Sequence, residues 1–166
     1  MNPLLWRAIW SWRRGGVVGA MSMILHMPSA AARGWIDERA VTLEALLAMR
    51  RLQEFEPRLV GPVLSGTATQ HADVQLHLFA ERPELVALWL MDQGIRHEVT
   101  ARRVKMNAER VLEYPGVRFE IDDHPIEATV FPTDGIRQAP VSPVDGKPMR
   151  RADVWELEAL LEMEQA

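Results

Sequence analysis

The sequence predicts an α+β domain in which helices pack against a mixed β-sheet. Segments with helical periodicity are separated by short apolar segments typical of strands, in the order α, β, β, α, three strands, α. Because strands and helices do not alternate regularly, this order favours a mixed sheet over a purely parallel one. At 166 residues the chain is long enough for one domain with a sizeable core.

The first helix is predicted over 37–56, because Asp37 is a suitable N-cap and Pro57 stops the helix. Its expected buried stripe consists of Ala40, Leu43, Leu47, Leu52 and Phe55. Two apolar strands are then expected at 59–64 and 74–79. The second helix should begin at Pro83 and end at Gly94, with its core side formed by Leu85, Leu88, Trp89 and Met91.

The second half of the chain predicts three further strands, near 98–106, 117–121 and 126–131, of which the last two form a hairpin. The segment 132–151 contains four prolines and two glycines, and it predicts a long ordered arm. Asp153 and Glu156 have the spacing of a capping box, which predicts a closing helix over 154–163.

The first 34 residues form a separate extension, and residues 35–166 form the predicted domain. The extension contains Trp6, Trp10 and Trp12 and has no acidic residue. Three interpretations stay open: an amphipathic helix over 3–14, a secretory signal, or a stretch upstream of the domain. We expect a cytoplasmic protein, with an exported one as the alternative if the signal interpretation holds.

Composition and motifs exclude several classes of function. The chain has no cysteine, which excludes disulfides and thiolate chemistry, and its net charge of -4 gives no general attraction to nucleic acid. It contains neither a nucleophile-elbow motif nor a phosphate-binding P-loop motif. The histidines are scattered, so a histidine zinc site is not expected.

One stretch of the sequence contains residues suited to phosphate chemistry. It consists of Leu64-Ser65-Gly66-Thr67 followed by Ala72-Asp73-Val74-Gln75-Leu76. This pattern resembles the nucleotidyltransferase superfamily of polymerase-beta-like and minimal nucleotidyltransferases, which have a small Gly-Ser/Thr turn followed by a strand with paired carboxylates. The third carboxylate of that family corresponds best to Glu127, which lies between apolar neighbours in a later strand.

The resemblance implies a nucleotidyltransferase-like fold that binds phosphate through Ser65, Gly66 and Thr67 and Mg²⁺ through Asp73 and Glu127. Residues two apart on a strand point to one face, so Asp73 and Gln75 should lie side by side. Gln75 is neutral where the family has an acid, which leaves the site one carboxylate short of a two-metal centre. The alternative for this stretch is a tight turn that Asp73 caps through its side chain.

Positive charge for a triphosphate is expected from Lys147, if the proline-rich arm folds over the turn. The alternative is an arm that wraps the surface and fastens the last helix. The predicted ligand is an NTP or another phosphate-bearing small molecule, with transfer of a nucleoside monophosphate to a hydroxyl if the site is active. Two alternatives stay open. One is a non-catalytic protein of the same fold that forms a homo-oligomer or binds a partner protein through its Trp-rich extension, and the other is a peripheral envelope protein.

Overall fold

A computed structural model describes residues 30–69 and 72–164, with side chains described from Arg39 onward. The chain divides into two units, Met1–Asp37 and Glu38–Ala166, and the second unit contains the sheet. The helices are α1 (Ala30–Arg51), α2 (Pro62–Ser65), α3 (Glu84–Asp92) and α4 (Val154–Met163), with 3₁₀ turns at Gln53–Phe55 and Thr133–Arg137. The strands are β1 (Arg58–Val60), β2 (Val74–Phe79), β3 (His97–Lys105), β4 (Val111–Ile121) and β5 (His124–Phe131).

The five strands form one mixed sheet in the order β1-β2-β5-β4-β3. Strands β2 and β5 are parallel, and every other neighbouring pair is antiparallel. The predicted α+β class with a mixed sheet is therefore confirmed. The parallel pair lies in the middle of the sheet, where each of its strands has a neighbour on both sides.

One face of the sheet packs against the helices. This inner face is formed by alternate residues of the central strands, which share one core cluster with residues of α1, α3 and α4. The contributing strand residues are Val74, Leu76 and Leu78 of β2, Ile126, Ala128 and Val130 of β5, and Val117, Phe119 and Ile121 of β4. Burying this apolar surface provides the main favourable term in folding.

The opposite, outer face is formed by the intervening residues, because strand side chains alternate between faces. It includes Gln75, His77 and Phe79 of β2 and, paired with them in register, Glu127, Thr129 and Phe131 of β5. This face therefore combines polar with aromatic side chains. The end of the sheet at which β2 and β5 begin is called the turn end. The end at which these two strands finish is called the arm end.

The helices differ from the sequence prediction in their limits and in the residues they bury. Helix α1 already begins at Ala30, because the alanine-rich stretch before Asp37 favours helix. Its buried residues include Val41, Ala45 and Met49, and Leu52 directly after the helix is also buried, whereas Ala40 and Leu43 of the predicted stripe are exposed. In α3 the buried residues are Val86 and Leu90, and Leu88 and Met91 face solvent. In both helices the apolar residues occupy more than one face, so composition alone did not identify the buried side.

The predicted strand over 59–64 is wrong in its second half. Strand β1 ends at Val60, and Gly61 and Pro62 then turn the chain into the short helix α2. Gly61 has a φ of 75° and a ψ of -155°, a backbone conformation that essentially only glycine adopts. Proline at the first position of α2 has the fixed φ that starts a helix.

The hairpin between β4 and β5 is confirmed and is tighter than expected. Only Asp122 and Asp123 connect the two strands, and both have positive φ values, 51° and 66°. Two such residues are characteristic of a type I′ turn, whose twist matches that of paired strands. The capping box at α4 is also confirmed, since the amide of Glu156 donates to Asp153 and the amide of Asp153 donates to Glu156.

The arm connects the two edge strands of the sheet. After the 3₁₀ turn, the amide of Val141 donates to the carbonyl of Lys105 at the end of β3 (2.9 Å). The arm then reaches β1, where Ala152 exchanges two backbone hydrogen bonds with Leu59 (2.8 and 3.0 Å). Helix α4 begins directly afterwards, so this bridge positions the closing helix.

Candidate functional site

The predicted phosphate-binding turn lies at the turn end of the sheet, between β1 and β2. Gly66 ends α2 in the left-handed conformation, with a φ of 70°, and Ser65, Gly66 and Thr67 are all exposed. Their backbone amides are already used, because Ser65 donates to the carbonyl of Gly61 and the other two donate to that of Pro62. A ligand at this turn would therefore meet side-chain hydroxyls rather than a cradle of backbone amides.

Two hydroxyl groups lie next to each other on this turn. The Ser65 Oγ and Thr67 Oγ1 atoms are 2.9 Å apart and form a hydrogen bond. Ser65 Oγ also lies 3.2 Å from the carbonyl of Pro62, to which it donates. The pair forms a small exposed group that can donate to or accept from a bound anion.

The carboxylate and amide residues of the motif lie on the outer face at the same end. Asp73 directly precedes β2, and Gln75 follows two residues later within the strand. Gln75 pairs in register with Glu127 on the parallel strand β5. Parallel neighbours in register point to the same side, so the structure brings Gln75 and Glu127 together, with Asp73 at the edge of the pair.

Asp73 does not cap the turn. Within residues 39–69 and 72–164, its carboxylate makes no hydrogen bond or ion pair, and the side chain is partly exposed. The predicted alternative of a capped turn therefore finds no support among these residues. A carboxylate that is not used to hold the turn together is available to a ligand.

Glu127 is held by two arginines. Its Oε1 atom lies 2.7 Å from Nη1 of Arg102 on β3 and 3.4 Å from Nη2 of Arg118 on β4. Only 11% of the Glu127 side chain is exposed, compared with 40% and 55% for the two arginines. The acid is thus largely covered, and its charge is compensated by guanidinium groups on two neighbouring strands.

These residues do not fit a two-metal centre. Gln75 offers a neutral oxygen, and Glu127 already has two cationic partners, so Asp73 is the one motif carboxylate without a cationic partner in the described part of the chain. Hard divalent cations need several charged oxygens, and two adjacent ions need more. In the same part of the chain, no group of three His, Asp or Glu residues is placed to hold a metal ion. Magnesium at Asp73 and Glu127 stays a prediction from the sequence.

Gln75 packs against the glycine that precedes the turn. A Cβ atom added to Gly61 would lie 2.4 Å from Oε1 of Gln75. The absence of a side chain at position 61 therefore makes room for the Gln75 amide. This contact joins the residue that precedes α2 to the outer face of β2.

Lys147 lies on a separate part of the domain. It belongs to an exposed turn of the arm, where its amide donates to Asp145 (3.1 Å) and its carbonyl accepts from Ser142 (2.7 Å). This turn follows the bond from Val141 to the end of β3, which lies at the arm end of the sheet. The structure therefore does not bring Lys147 together with Ser65, Gly66, Thr67 and Asp73.

A second polar group on the outer face was not identified from the sequence. Arg151 donates through Nε to Nδ1 of His77 (2.9 Å) and through Nη1 to the carbonyl of Gly135 (2.9 Å). Its guanidinium lies 5.1 Å from the ring centroids of both Phe79 and Phe131, which is cation–π geometry. Arg151 thus fastens the arm to the sheet.

Burial and neighbouring arginines shape the electrostatics of this group. Burial, then Arg151 and then Arg102, lower the pKa of His77 to about 3. The contact with Arg151 also requires a neutral imidazole, since Nδ1 must accept the hydrogen bond that Arg151 Nε donates. Burial, followed by the nearby Arg58, lowers the pKa of Arg151 to about 10.

Neither Arg102 nor Arg118 was expected to contact the motif residues from the sequence. The signal for Arg102 was present, because alternation places it on the opposite face from Arg103 and Lys105. The ion pair between Arg102 and Glu127 depends on the order of the strands in the sheet, which cannot be predicted from a local sequence pattern. For Arg151, the only signal was its position in a proline-rich arm beside the closing helix.

Comparisons of the chain with protein-family profiles, with curated proteins and with solved structures find no match. Among the residues that the structure describes, no helix has the length and apolar character needed to cross a membrane. Residues 1–29 of the N-terminal extension lie outside the described residues, whereas 30–34 belong to α1, and the three interpretations of the extension stay predictions.

Proposed function

We propose that this chain is a nucleotidyltransferase-like domain that binds a phosphate-bearing nucleotide without carrying out two-metal transfer. The observation that supports this most directly is the register of β2 and β5. It brings Gln75 and Glu127 side by side on the outer face, with Asp73 and the Ser65–Thr67 hydroxyls at the same end of the sheet. This is the arrangement that the family resemblance implies.

The proposed contacts follow from the groups that are exposed. The hydroxyls of Ser65 and Thr67 donate to phosphate oxygens, and the guanidiniums of Arg102 and Arg118, which hold Glu127, supply positive charge on the outer face. Asp73 accepts from a ligand hydroxyl or faces the Mg²⁺ that an NTP carries as part of the ligand. The neutral Gln75 and the compensated Glu127 are the reasons to propose binding rather than transfer.

A thermal-shift screen of the four common NTPs, with and without Mg²⁺, tests the proposal. A ligand at about 100 times its Kd stabilises the native state by about 2.7 kcal/mol. For a domain of this size that corresponds to a rise in Tm of roughly 5 to 20 °C. Nucleotide binding is rejected if none of the NTPs raises the Tm under either condition.

Variants then locate the site. Asp73→Asn and the double variant S65A/T67V should reduce the ligand-induced shift while leaving the ligand-free Tm nearly unchanged, because all three residues are at least partly exposed. Asp92→Asn, an exposed residue at the end of α3, is the matched control and should keep the full shift. If the parent chain releases pyrophosphate from an NTP and Asp73→Asn does not, the result would instead favour the transfer of a nucleoside monophosphate.

An interaction protein is the second candidate, and one observation favours it. Trp155, Ala159 and Met163 are exposed and lie four residues apart along α4, with Trp155 72% and Met163 75% exposed. Residues at this spacing form one face of a helix. If this face binds a second copy, Trp155→Lys should lower the apparent mass in light scattering, and an unchanged monomeric mass for both proteins would contradict self-association.

A further inference from the structure

A cavity lies at the arm end of the sheet, away from the proposed nucleotide site. It has a volume of about 220 Å³, is open to solvent on one side, and is bordered by the β3–β4 turn, the first half of β4, and the 3₁₀ turn after β5. Pockets for drug-sized ligands typically measure about 300–1,000 Å³. The cavity is therefore suited to a smaller molecule.

The cavity is lined by both polar and apolar side chains, and its apolar part is partly aromatic. Tyr114, Leu112 and Met106 contribute half-buried side chains, and Phe131 lies behind them. The Tyr114 and Phe131 rings contact each other with centroids 4.6 Å apart. Among the described residues, the hydroxyl of Tyr114 has only the sulfur of Met106 as a partner, at 3.9 Å, and sulfur is a weak acceptor.

The arm holds these walls in place from behind. The Arg151 guanidinium packs on Phe131 and donates to the carbonyl of Gly135, and both of those residues line the cavity. His77 packs on Phe131 with ring centroids 4.7 Å apart. A Cβ atom at Gly135 would lie 3.1 Å from Cβ of Phe131, so a side chain there would fit only after a shift of a few tenths of an ångström. The cavity is thus preorganised by contacts that the proposed nucleotide site does not use.

Two opposite charges lie on the rim of the cavity. Arg110 and Asp134 both line it, both are exposed, and neither forms an ion pair within residues 39–69 and 72–164. The backbone of Arg110 is fixed, because its amide donates to Asn107 Oδ1 (2.8 Å) and its carbonyl accepts from Met106 (2.8 Å). A cation and an anion that line the same cavity as the Tyr114 and Phe131 rings suit a ligand that carries both charges and an aromatic group.

We propose that this cavity binds a free α-amino acid with an aromatic side chain. The carboxylate of the ligand pairs with Arg110, its ammonium group pairs with Asp134, and its ring packs against Tyr114. Charge-assisted hydrogen bonds at both ends determine the orientation, and the aromatic contact selects the side chain. This site is independent of the proposed nucleotide function, because it shares none of the residues assigned to that function.

Isothermal titration calorimetry with L-phenylalanine tests the proposal on the full chain, with N-acetyl-L-phenylalanine amide as the comparison compound. The amide keeps the ring but lacks both charges. L-Phenylalanine should bind saturably and the amide should not. Absence of saturable heat up to millimolar L-phenylalanine, or equal binding of the two compounds, would overturn the proposal.

Two variants identify the groups that bind. Arg110→Gln and Asp134→Asn should each weaken L-phenylalanine binding by roughly ten-fold or more, since each removes a charge-assisted hydrogen bond. Arg103→Gln and Asp92→Asn are exposed controls with the same chemical changes, and they should leave the Kd unchanged. A Tm equal to that of the parent chain shows that each variant is folded. Binding that survives both rim variants would place the amino acid elsewhere and refute the assignment.

Discussion

His77 should make the stability of this domain depend on pH below neutrality. The side chain is 5% exposed, and its Nδ1 atom accepts the hydrogen bond from Arg151. Protonation would remove that acceptor and place a buried cation next to a guanidinium. The pKa of His77 is accordingly about 3 in the folded protein, compared with an ordinary value of 6.5.

The size of the effect follows from the two pKa values. Between about pH 6.5 and pH 3 the unfolded chain binds a proton at this position that the folded chain does not, so stability falls as the pH falls. Each pH unit in that window costs about 1.4 kcal/mol, and about 2 kcal/mol is lost by pH 5. Above pH 6.5 both states are neutral at His77, and this contribution to stability is complete.

Urea unfolding of the parent chain and of His77→Asn, at about pH 8 and about pH 5, measures the contribution. Asparagine does not titrate, and it retains an oxygen that can accept from Arg151. The free energy of unfolding of the parent should fall by about 2 kcal/mol more than that of the variant. Equal losses in the two proteins would refute the reasoning. So would an equal effect of His97→Asn on the edge strand β3, since the dependence would then not be specific to His77.

Three further changes should lower the free energy of unfolding measured in urea. Gly61→Ala should cost about 1–3 kcal/mol, because the left-handed backbone excludes a side chain. The loss of stability from Gly61→Ala should persist in a Gln75→Ala background. If it disappears there, the steric clash with the Gln75 side chain is its cause instead of the backbone conformation. Glu127→Gln should cost only about 1 kcal/mol, because the arginines that hold it are substantially exposed, and a loss several times larger would mean that the pair is effectively buried. Asp153→Ala should cost about 1 kcal/mol through loss of the capping box, with no change expected if the cap contributes nothing to α4.

Local signals predicted the elements whose sequence pattern has a single interpretation. Strand β2 has alternating or continuous apolar residues between turns, and it was predicted with its observed limits. The closing helix begins at a capping box, and the β4–β5 hairpin was predicted from two short apolar strands close together in the sequence. In each case the residues that define the element also form its contacts, so no information from distant parts of the chain is needed.

The errors occurred where a distant contact decides the outcome. Helix α1 has apolar residues on several sides, and its buried side is determined by the sheet it packs against. Strand β1 was extended through Pro62 and Leu64 because those positions continue an apolar run. A strand in that register, however, would lose the contact between Gly61 and Gln75 and the turn that follows.

The same difference between local patterns and distant contacts applies to the candidate site. The shared face of Asp73 and Gln75 follows from strand alternation. Glu127 was expected only in a later strand, and the structure shows that this strand is the parallel neighbour of β2. The partner of the Glu127 carboxylate was not predictable, because the sequence pattern of an acid between apolar residues is the same whether the acid binds a metal or an arginine. Arg102 lies 25 positions earlier in the chain, and only the β3–β4 hairpin brings it across the sheet to Glu127. The hairpin therefore determines whether this acid is available to a cation from solution, and a motif that ends before the hairpin contains no information about it.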